Sequence, residues 1–241
     1  MALTLVTGGT RGIGAAVAAR LAAEGHDLVL GYHRDAASAA ATVAAVEAHG
    51  VRCVAVPGDL TTDAGIAALF AAAAELGELT GVVNNAGATY RFAPLADTPA
   101  DEVRRTIDVN LTAPILVARA AVTALGRGGV VVNITSGAAT LGSPGEYVHY
   151  AAAKAGLDLV TRGLGLEVAE RGIRVVAVAP GLIATDLHAT TGDPERVERM
   201  APQIPLGRAG QPEEVAEAVA WLMSEQASYV TATTLRVAGG R

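Results

Sequence analysis

Short apolar runs recur along the chain at Leu3–Val6, Leu28–Leu30, Val51–Val56, Val82–Val83, Val130–Ile134, Arg174–Val178 and Thr233–Val237. Longer alanine-rich segments of helical period fill the intervals between them. The runs are rich in β-branched residues and lack the in/out alternation of a half-exposed strand, so each is predicted to be a strand covered on both faces. Strands separated by helices return in the same direction through right-handed crossovers, which predicts an α/β fold of Rossmann type, a parallel sheet with helices on both sides. No repeat or low-complexity linker divides the chain, and 241 residues suffice for one well-buried core but hardly for two. Residues 1–241 are therefore expected to form a single domain. The longest departure from the pattern, from Gly181 to Pro212 with Pro194, Pro202 and Pro205 inside it, reads as a mobile cap over residues 182–212.

Composition narrows the picture. With 51% hydrophobic and 17% charged residues the chain has the balance of a compact α/β protein rather than a disordered one. Eighteen basic against twenty-four acidic residues give a net charge of -6, with no Lys/Arg block to neutralise a row of phosphates, so nucleic acid is not an expected partner. Gly, Asp, Arg or Pro interrupts each apolar stretch before it reaches bilayer length, and the first strand leaves no room for a signal segment. A cytoplasmic protein without a membrane partner is expected. Cys53, set among Val51, Val54 and Val56, is expected to be packing rather than a reactive thiol, and no His/Cys/Asp cluster suggests a metal.

Candidate chemistry begins in the turn after the first strand, Thr7-Gly8-Gly9-Thr10-Arg11-Gly12-Ile13-Gly14, which opens the helix through Ala15 to Ala23. Glycines there let backbone approach a pyrophosphate, and the helix N-terminus offers N–H groups to its charge. The glycine spacing differs from G-x-G-x-x-G, and tight packing is the competing explanation. At the end of the second strand a carboxylate would bind the ribose 2′-hydroxyl of NAD and a cation the 2′-phosphate of NADP. The sequence there runs Gly31-Tyr32-His33-Arg34, with no carboxylate before Asp35. Arg11 and Arg34, with His33 contributing, therefore point to NADPH, although either arginine alone would pass for a surface cation.

Tyr150 and Lys154 are four residues apart in a helical segment, on one face. An ammonium beside a phenol of ordinary pKa near ~10 favours the phenolate, making tyrosine a usable acid and base. Such a pair is common on solvated helices, so its neighbours decide. Ser136 follows the Val130–Ile134 strand, at the carboxyl end where open α/β sheets bind ligands, and Asn84-Asn85-Ala86-Gly87 and Pro180-Gly181 end the flanking strands.

Together these residues, with Asp59 and Asn110, resemble the short-chain dehydrogenase/reductase family in identity and order over essentially the whole chain. The resemblance implies seven parallel strands ordered 3-2-1-4-5-6-7. It makes Tyr150 the acid that protonates a carbonyl as hydride arrives from nicotinamide, with Ser136 bonding that oxygen. It makes Lys154 the residue that holds the nicotinamide ribose and depresses the tyrosine pKa, and Asn110 one that positions a relay water. By the same resemblance Asp59 and Leu60 contact adenine, Asn85, Ala86 and Gly87 line the cofactor, and Pro180, Gly181, Ile183 and Thr185 meet its nicotinamide end. A homotetramer is implied, pairing the helices that carry Asn110 and Tyr150 and packing the strand near Val237 across a second interface.

Within the family the pattern resembles 3-oxoacyl-acyl-carrier-protein reductases, which implies an NADPH-linked reduction of a 3-oxoacyl thioester, with Arg127 and Arg171 meeting an acidic carrier protein. Gly142-Ser143-Pro144-Gly145-Glu146-Tyr147 is instead similar to sugar and polyol dehydrogenases, and the segment Gly137–His149 is one residue longer than in the carrier-protein reductases. A dehydrogenase of a sugar, polyol, steroid or other small alcohol is thus the alternative, with Ala138, Tyr147 and His188 as substrate contacts. A catalytically silent dinucleotide sensor is the alternative of another class.

Overall fold

A computed structural model describes residues 2–185, 193 and 195–241. The elements run β1 (Leu3–Val6), α1 (Gly12–Ala23), β2 (Asp27–Tyr32), α2 (Ala36–Glu47), β3 (Cys53–Pro57), α3 (Asp63–Leu76), β4 (Leu79–Asn84), α4 (Ala100–Ile107) and α5 (Ala113–Ala124). They continue with β5 (Val130–Ile134), α6 (Ala138–Leu141), α7 (Val148–Glu167), β6 (Arg174–Pro180), α8 (Arg196–Met200), α9 (Pro212–Met223) and β7 (Thr234–Val237). The strands form one seven-stranded sheet, every pair parallel, in the predicted order β3-β2-β1-β4-β5-β6-β7.

The sheet buries both faces because neighbouring residues of each strand point to opposite sides and both are apolar. Leu5, Val29, Val82, Val131 and Val175 pack on one side against Ile66 and Leu69 of α3 and Val117 and Ala121 of α5. Val6, Leu30, Val83, Val132 and Val176 pack on the other against Val17 and Leu21 of α1 and Val215 and Val219 of α9. Each such fully buried side chain contributes roughly 1.5–3 kcal/mol relative to exposure.

Only β1 and β5 coincide with their apolar runs; among the differences, β3 starts at Cys53, β2 and β4 extend to Asp27 and Asn84, and β6 continues to Pro180. Polar residues enter these strands because their side chains find partners. Asp27, 2% exposed, accepts from Arg52 at 2.6, 2.7 and 2.9 Å. Asn84 Nδ2 donates to the Pro114 carbonyl at 2.8 Å and to Asn133 Oδ1 at 3.1 Å, and Asn133 Nδ2 donates to Thr161 Oγ1 at 2.9 Å. This buried chain ties α5 and α7 to the centre of the sheet. Cys53 is buried, and burial pushes its thiol up to about 12, as suits a packing residue.

One expectation is corrected. A π turn at Asp108–Thr112 joins α4 to α5, so Ala100–Ala124 is one helix of 25 residues, with an 18-residue stretch of mean hydropathy 1.3, long and apolar enough to cross a bilayer. Pro114 does not break it because it follows directly on the π turn, where the regular hydrogen-bond ladder is already interrupted. Val117, Ala118 and Ala121 are fully buried, which makes this a core helix of the fold.

Candidate active site

A cleft of ≈ 1110 Å³ runs along the carboxyl ends of the strands. The turn between β1 and α1 forms one wall, with Gly8, Thr10, Arg11, Gly12, Ile13 and Gly14 all lining it. Gly8 and Gly12 have φ of +60° and +50°, and a Cβ on Gly14 would fall 2.1 Å from the Gly8 carbonyl oxygen. Glycine is therefore required at position 14, and any other residue at 8 or 12 would be strained. Asn85 Nδ2 donates to the Thr7 and Gly8 carbonyls at 3.0 Å, and Thr7 Oγ1 accepts from the Asn85 and Ala86 N–H groups at 3.0 Å. No side chain caps the first turn of α1 and no acid lies within it, so its N–H groups are left to an anion.

At the far end of the cleft, His33 and Arg34 are exposed after β2. The Asp35 carboxylate beside them is engaged: Oδ1 accepts the Ser38 N–H at 3.0 Å and Oδ2 the Ser38 hydroxyl at 2.7 Å, capping α2, with Arg11 3.7 Å away. Those Ser38 bonds hold the Asp35 carboxyl below its ordinary value. Asp59, which lines the cleft with Leu60, is likewise held low by accepting from Thr61. A Gly-lined helix N-terminus, cations at the ribose end and a long cleft fit a nicotinamide dinucleotide.

The catalytic candidates meet at the other end. Tyr150 and Lys154 project from the first two turns of α7, with the Lys154 ammonium 5.8 Å from the centre of the Tyr150 ring. Lys154, 3% exposed, donates to the Ile134 carbonyl at 2.9 Å, and burial depresses its pKa to about 8. Ser136 Oγ accepts the Ala138 N–H at 3.1 Å and is hydrogen-bonded to the Tyr150 phenol. Burial, reinforced by Tyr147, raises the Tyr150 pKa above its ordinary value, and the Ser136 bond pulls it partly back. The expectation that Lys154 lowers it is thus corrected: burial dominates, and the phenol is neutral at pH 7. That is the state a proton donor requires.

Asn110 is fully buried in the π turn, where its side chain donates to the carbonyls of Ala88 (2.7 Å) and Thr106 (3.0 Å) and accepts the Ala88 N–H (3.2 Å). It braces the segment after β4 rather than facing the cleft. A Cβ on Gly87 would lie 2.8 Å from Asn110 Oδ1 and 3.4 Å from Lys154 Nζ, so backbone, amide and ammonium converge there. Asn85, Ala86 and Gly87 line the cleft at this point. Ala138 and Tyr147 line it beside Tyr150, and Pro180, Gly181, Ile183 and Thr185 close it after β6.

Two expected contacts lie elsewhere and one is outside the described residues. Arg127 and Arg171 precede β5 and β6, at the opposite end of the sheet, where Arg171 donates to the Val122 carbonyl and Arg127 to that of Glu170. His188 falls in the undescribed part of the cap. Sequence reasoning does not find Phe92, Glu146 as a paired acid, or Arg196 of α8, which all line the cleft. Nothing local distinguishes Arg196 from Arg199, yet Arg196 is 4% exposed while the side chain of Arg199 is 55% exposed and pairs with Asp193.

Known proteins resemble this chain along its whole length. A family model described as enoyl-(acyl carrier protein) reductase matches residues 8–241. 3β-Hydroxysteroid dehydrogenase 1 of Eggerthella lenta is 43% identical over 98% of this chain and 92% of its own. Glucose 1-dehydrogenase 2 of Bacillus subtilis is 39% identical over 98% and 93%. The 3-oxoacyl-(acyl-carrier-protein) reductase FabG of Staphylococcus aureus is 36% identical over 98% and 96%. A short-chain dehydrogenase from Burkholderia cenocepacia, solved in complex with NADP, superposes with a TM-score of 0.92 at 36% identity, over 98% of this chain and 96% of that one. Sequence, sheet order and site geometry agree: the chain belongs to the short-chain dehydrogenase/reductase family of NAD(P)-dependent oxidoreductases.

Proposed function

We propose that this enzyme reduces a ketone to a secondary alcohol with NADPH, Tyr150 acting as the general acid. The convergence of Tyr150, Ser136 and Lys154 at one end of a dinucleotide-shaped cleft carries this reading. Bound NADPH supplies the hydride. The chain's own part is to hold a neutral phenol where it can protonate the carbonyl oxygen, to donate a second hydrogen bond from Ser136, and to place the Lys154 ammonium beside that donor. Asn110 fixes the backbone of Ala88 against which this end of the cleft is built. The engaged Asp35 and the exposed Arg34 favour the phosphorylated coenzyme.

For the substrate, the surroundings of Tyr150 favour a ring-bearing or compact secondary alcohol and its ketone over a 3-oxoacyl thioester. Phe92 and Tyr147 make an aromatic wall beside Tyr150, with ring centroids 4.9 and 5.2 Å apart in succession. The steroid and glucose dehydrogenases among the relatives are in keeping with this. A role for Arg127 and Arg171 with an acidic acyl carrier protein has no support from the cleft of the same chain. Exposed Leu159 and Leu166 on α7, at 70% and 64%, support the homo-oligomer implied by the family pattern.

The test is NADPH consumption by the purified enzyme with cyclic ketones, an aryl ketone, a 3-oxosteroid and a 3-oxobutanoyl thioester, repeated with Tyr150→Phe. Turnover of a ring ketone, lost in the variant, is expected. Turnover of the thioester alone would restore the acyl reading, and NADPH binding without reduction of any carbonyl would establish the silent sensor.

A further inference from the structure

Three loops that leave the sheet separately meet at one ion pair. Arg196, on α8 of the cap, donates to Glu146 through Nη1 at 2.6 Å and Nη2 at 2.7 Å, a two-pronged bond with the arginine side chain 5% and the glutamate 31% exposed. The guanidinium lies over the Phe92 ring, 4.4 Å from its centre, and 5.7 Å from the centre of Tyr147. A backbone bond from the Ala93 N–H to the Glu146 carbonyl, at 2.8 Å, joins the loop after β4 to the loop after β5. The latter is wound tightly, with Gly142, Ser143 and Gly145 at φ of 70°, 46° and 76°. Left-handed backbone at a serine persists only where surrounding contacts enforce it.

This assembly reaches the reacting group. The Tyr147 ring, between Phe92 and Tyr150, meets Tyr150 edge-on at 77° with centroids 5.2 Å apart, and its hydroxyl lies 3.5 Å from Arg196 Nη2. Arg196 also lines the cleft beside Met200 of the same helix. A cation with this little exposure needs its acid: removal of either partner leaves an uncompensated charge under the cap.

We propose that Glu146 and Arg196 are positioning residues for substrate, a clamp that docks α8 on Phe92 and Tyr147 and thereby sets the aromatic wall of the substrate pocket beside Tyr150. The pair is mutually neutralised, so the pocket it closes takes an uncharged ketone with an apolar or ring face rather than one bearing a carboxylate or phosphate near the reacting carbon. This inference rests on the ketone-reductase reading for its substrate but not for the docking itself, and the experiment separates the two.

Wild type, Arg196→Met, Glu146→Gln and the conservative Arg196→Lys are compared by steady-state kinetics with cyclohexanone and an aryl ketone, by NADPH affinity, and by hydrogen exchange of residues 195–204. The clamp predicts that Arg196→Met and Glu146→Gln raise KM at least about tenfold with kcat reduced less than about threefold. NADPH affinity should stay within about twofold, exchange over residues 195–204 should accelerate, and Arg196→Lys should recover part of both effects. Unchanged KM and exchange in Glu146→Gln would overturn the clamp, as would parallel loss of NADPH affinity and substrate binding. If Arg196→Met fails to fold, Glu146→Gln alone decides. If wild type reduces no ketone the functional reading fails, and exchange in Glu146→Gln still decides whether the pair docks the cap.

Discussion

The Lys154 ammonium stands 5.8 Å from the centre of the Tyr150 ring and donates a hydrogen bond to the Ile134 carbonyl. Burial and Tyr147 raise the phenol, and the Ser136 hydrogen bond pulls it the other way. Tyr150 is then protonated throughout the neutral range, ready to give a proton in reduction, whereas alcohol oxidation needs the phenolate. Profiles of kcat/KM against pH should accordingly be level through neutrality for ketone reduction and fall only on the alkaline side, while oxidation climbs with pH. Ser136→Ala should move the rising limb of oxidation to higher pH and lower kcat by roughly 10²-fold, through loss of a hydrogen bond to the developing oxyanion. A reduction profile that falls between pH 6 and 7 would contradict the assignment.

Lys154 also makes a stability prediction. It is the only lysine in the chain, every other side-chain cation being arginine or histidine. Its pKa falls from 10.5 to about 8 on burial, so between those values the unfolded chain binds more protons than the folded one. Stability must then rise with pH across that window: the cost of burying the charged ammonium is present in full below pH 8 and relieved by about 10.5. The rise attributable to this side chain is about 3 kcal/mol. Urea unfolding of the protein without added nucleotide at pH 7.5, 9 and 10.5 measures it, and Lys154→Met should flatten the curve.

Much of this is legible in the sequence because it depends on spacing. β-branched runs separated by helices specify parallel strands, a glycine-rich turn after the first strand can only be a tight strand-to-helix passage, and Tyr150 and Lys154 share a helix face whatever surrounds them. What periodicity cannot reveal is which polar residue will find a buried partner across the fold. Asp27 and Asn84 are polar and would pass for loop residues, but they are the buried first residue of β2 and last residue of β4 because Arg52 and Asn133 satisfy them. Arg196 looks like any cation of a charged run until Glu146, fifty positions away, is placed against it. The effect of Lys154 on Tyr150 escapes the sequence for a related reason: spacing gives the shared face, but not how far burial outweighs the charge.

The Asn84, Asn133 and Thr161 chain carries a prediction of its own. All three are buried, and Asn133 alone connects the other two. Asn133→Ala would strip Asn84 and Thr161 of a partner and open a small void between β4 and β5. An unsatisfied buried group costs about 1–3 kcal/mol, so a loss of about 2–4 kcal/mol is expected. Denaturant unfolding checks the size, and because the chain also ties α7 to the sheet, kcat should fall in the folded fraction as well. A loss below about 0.5 kcal/mol would mean that water readily replaces the amide.

Coenzyme choice depends on which charges are free at the end of β2. Asp35 would be the natural partner for a ribose 2′-hydroxyl, but it caps α2 through Ser38 and faces Arg11 at 3.7 Å, whereas Arg34 is exposed and interacts with the Asp59 carboxylate only through space, with no ion pair among the described residues. A 2′-phosphate placed there meets the His33 and Arg34 cations after β2 rather than a carboxylate at the end of that strand. Arg34→Ala should raise KM for NADPH by about tenfold or more and leave that for NADH nearly unchanged, since a charge-assisted bond to phosphate contributes about 1.5–3 kcal/mol. Arg11→Ala should do the same to a smaller extent, because Asp35 already shares its charge. Asp35→Ala isolates the competing interaction: freed from Asp35, Arg11 should bind the phosphate more tightly and lower KM for NADPH, even as the lost cap costs α2 about 0.5–2 kcal/mol. Equal losses with both coenzymes in Arg34→Ala would mean that the arginine acts on the shared part of the dinucleotide and that the preference for NADPH was misassigned.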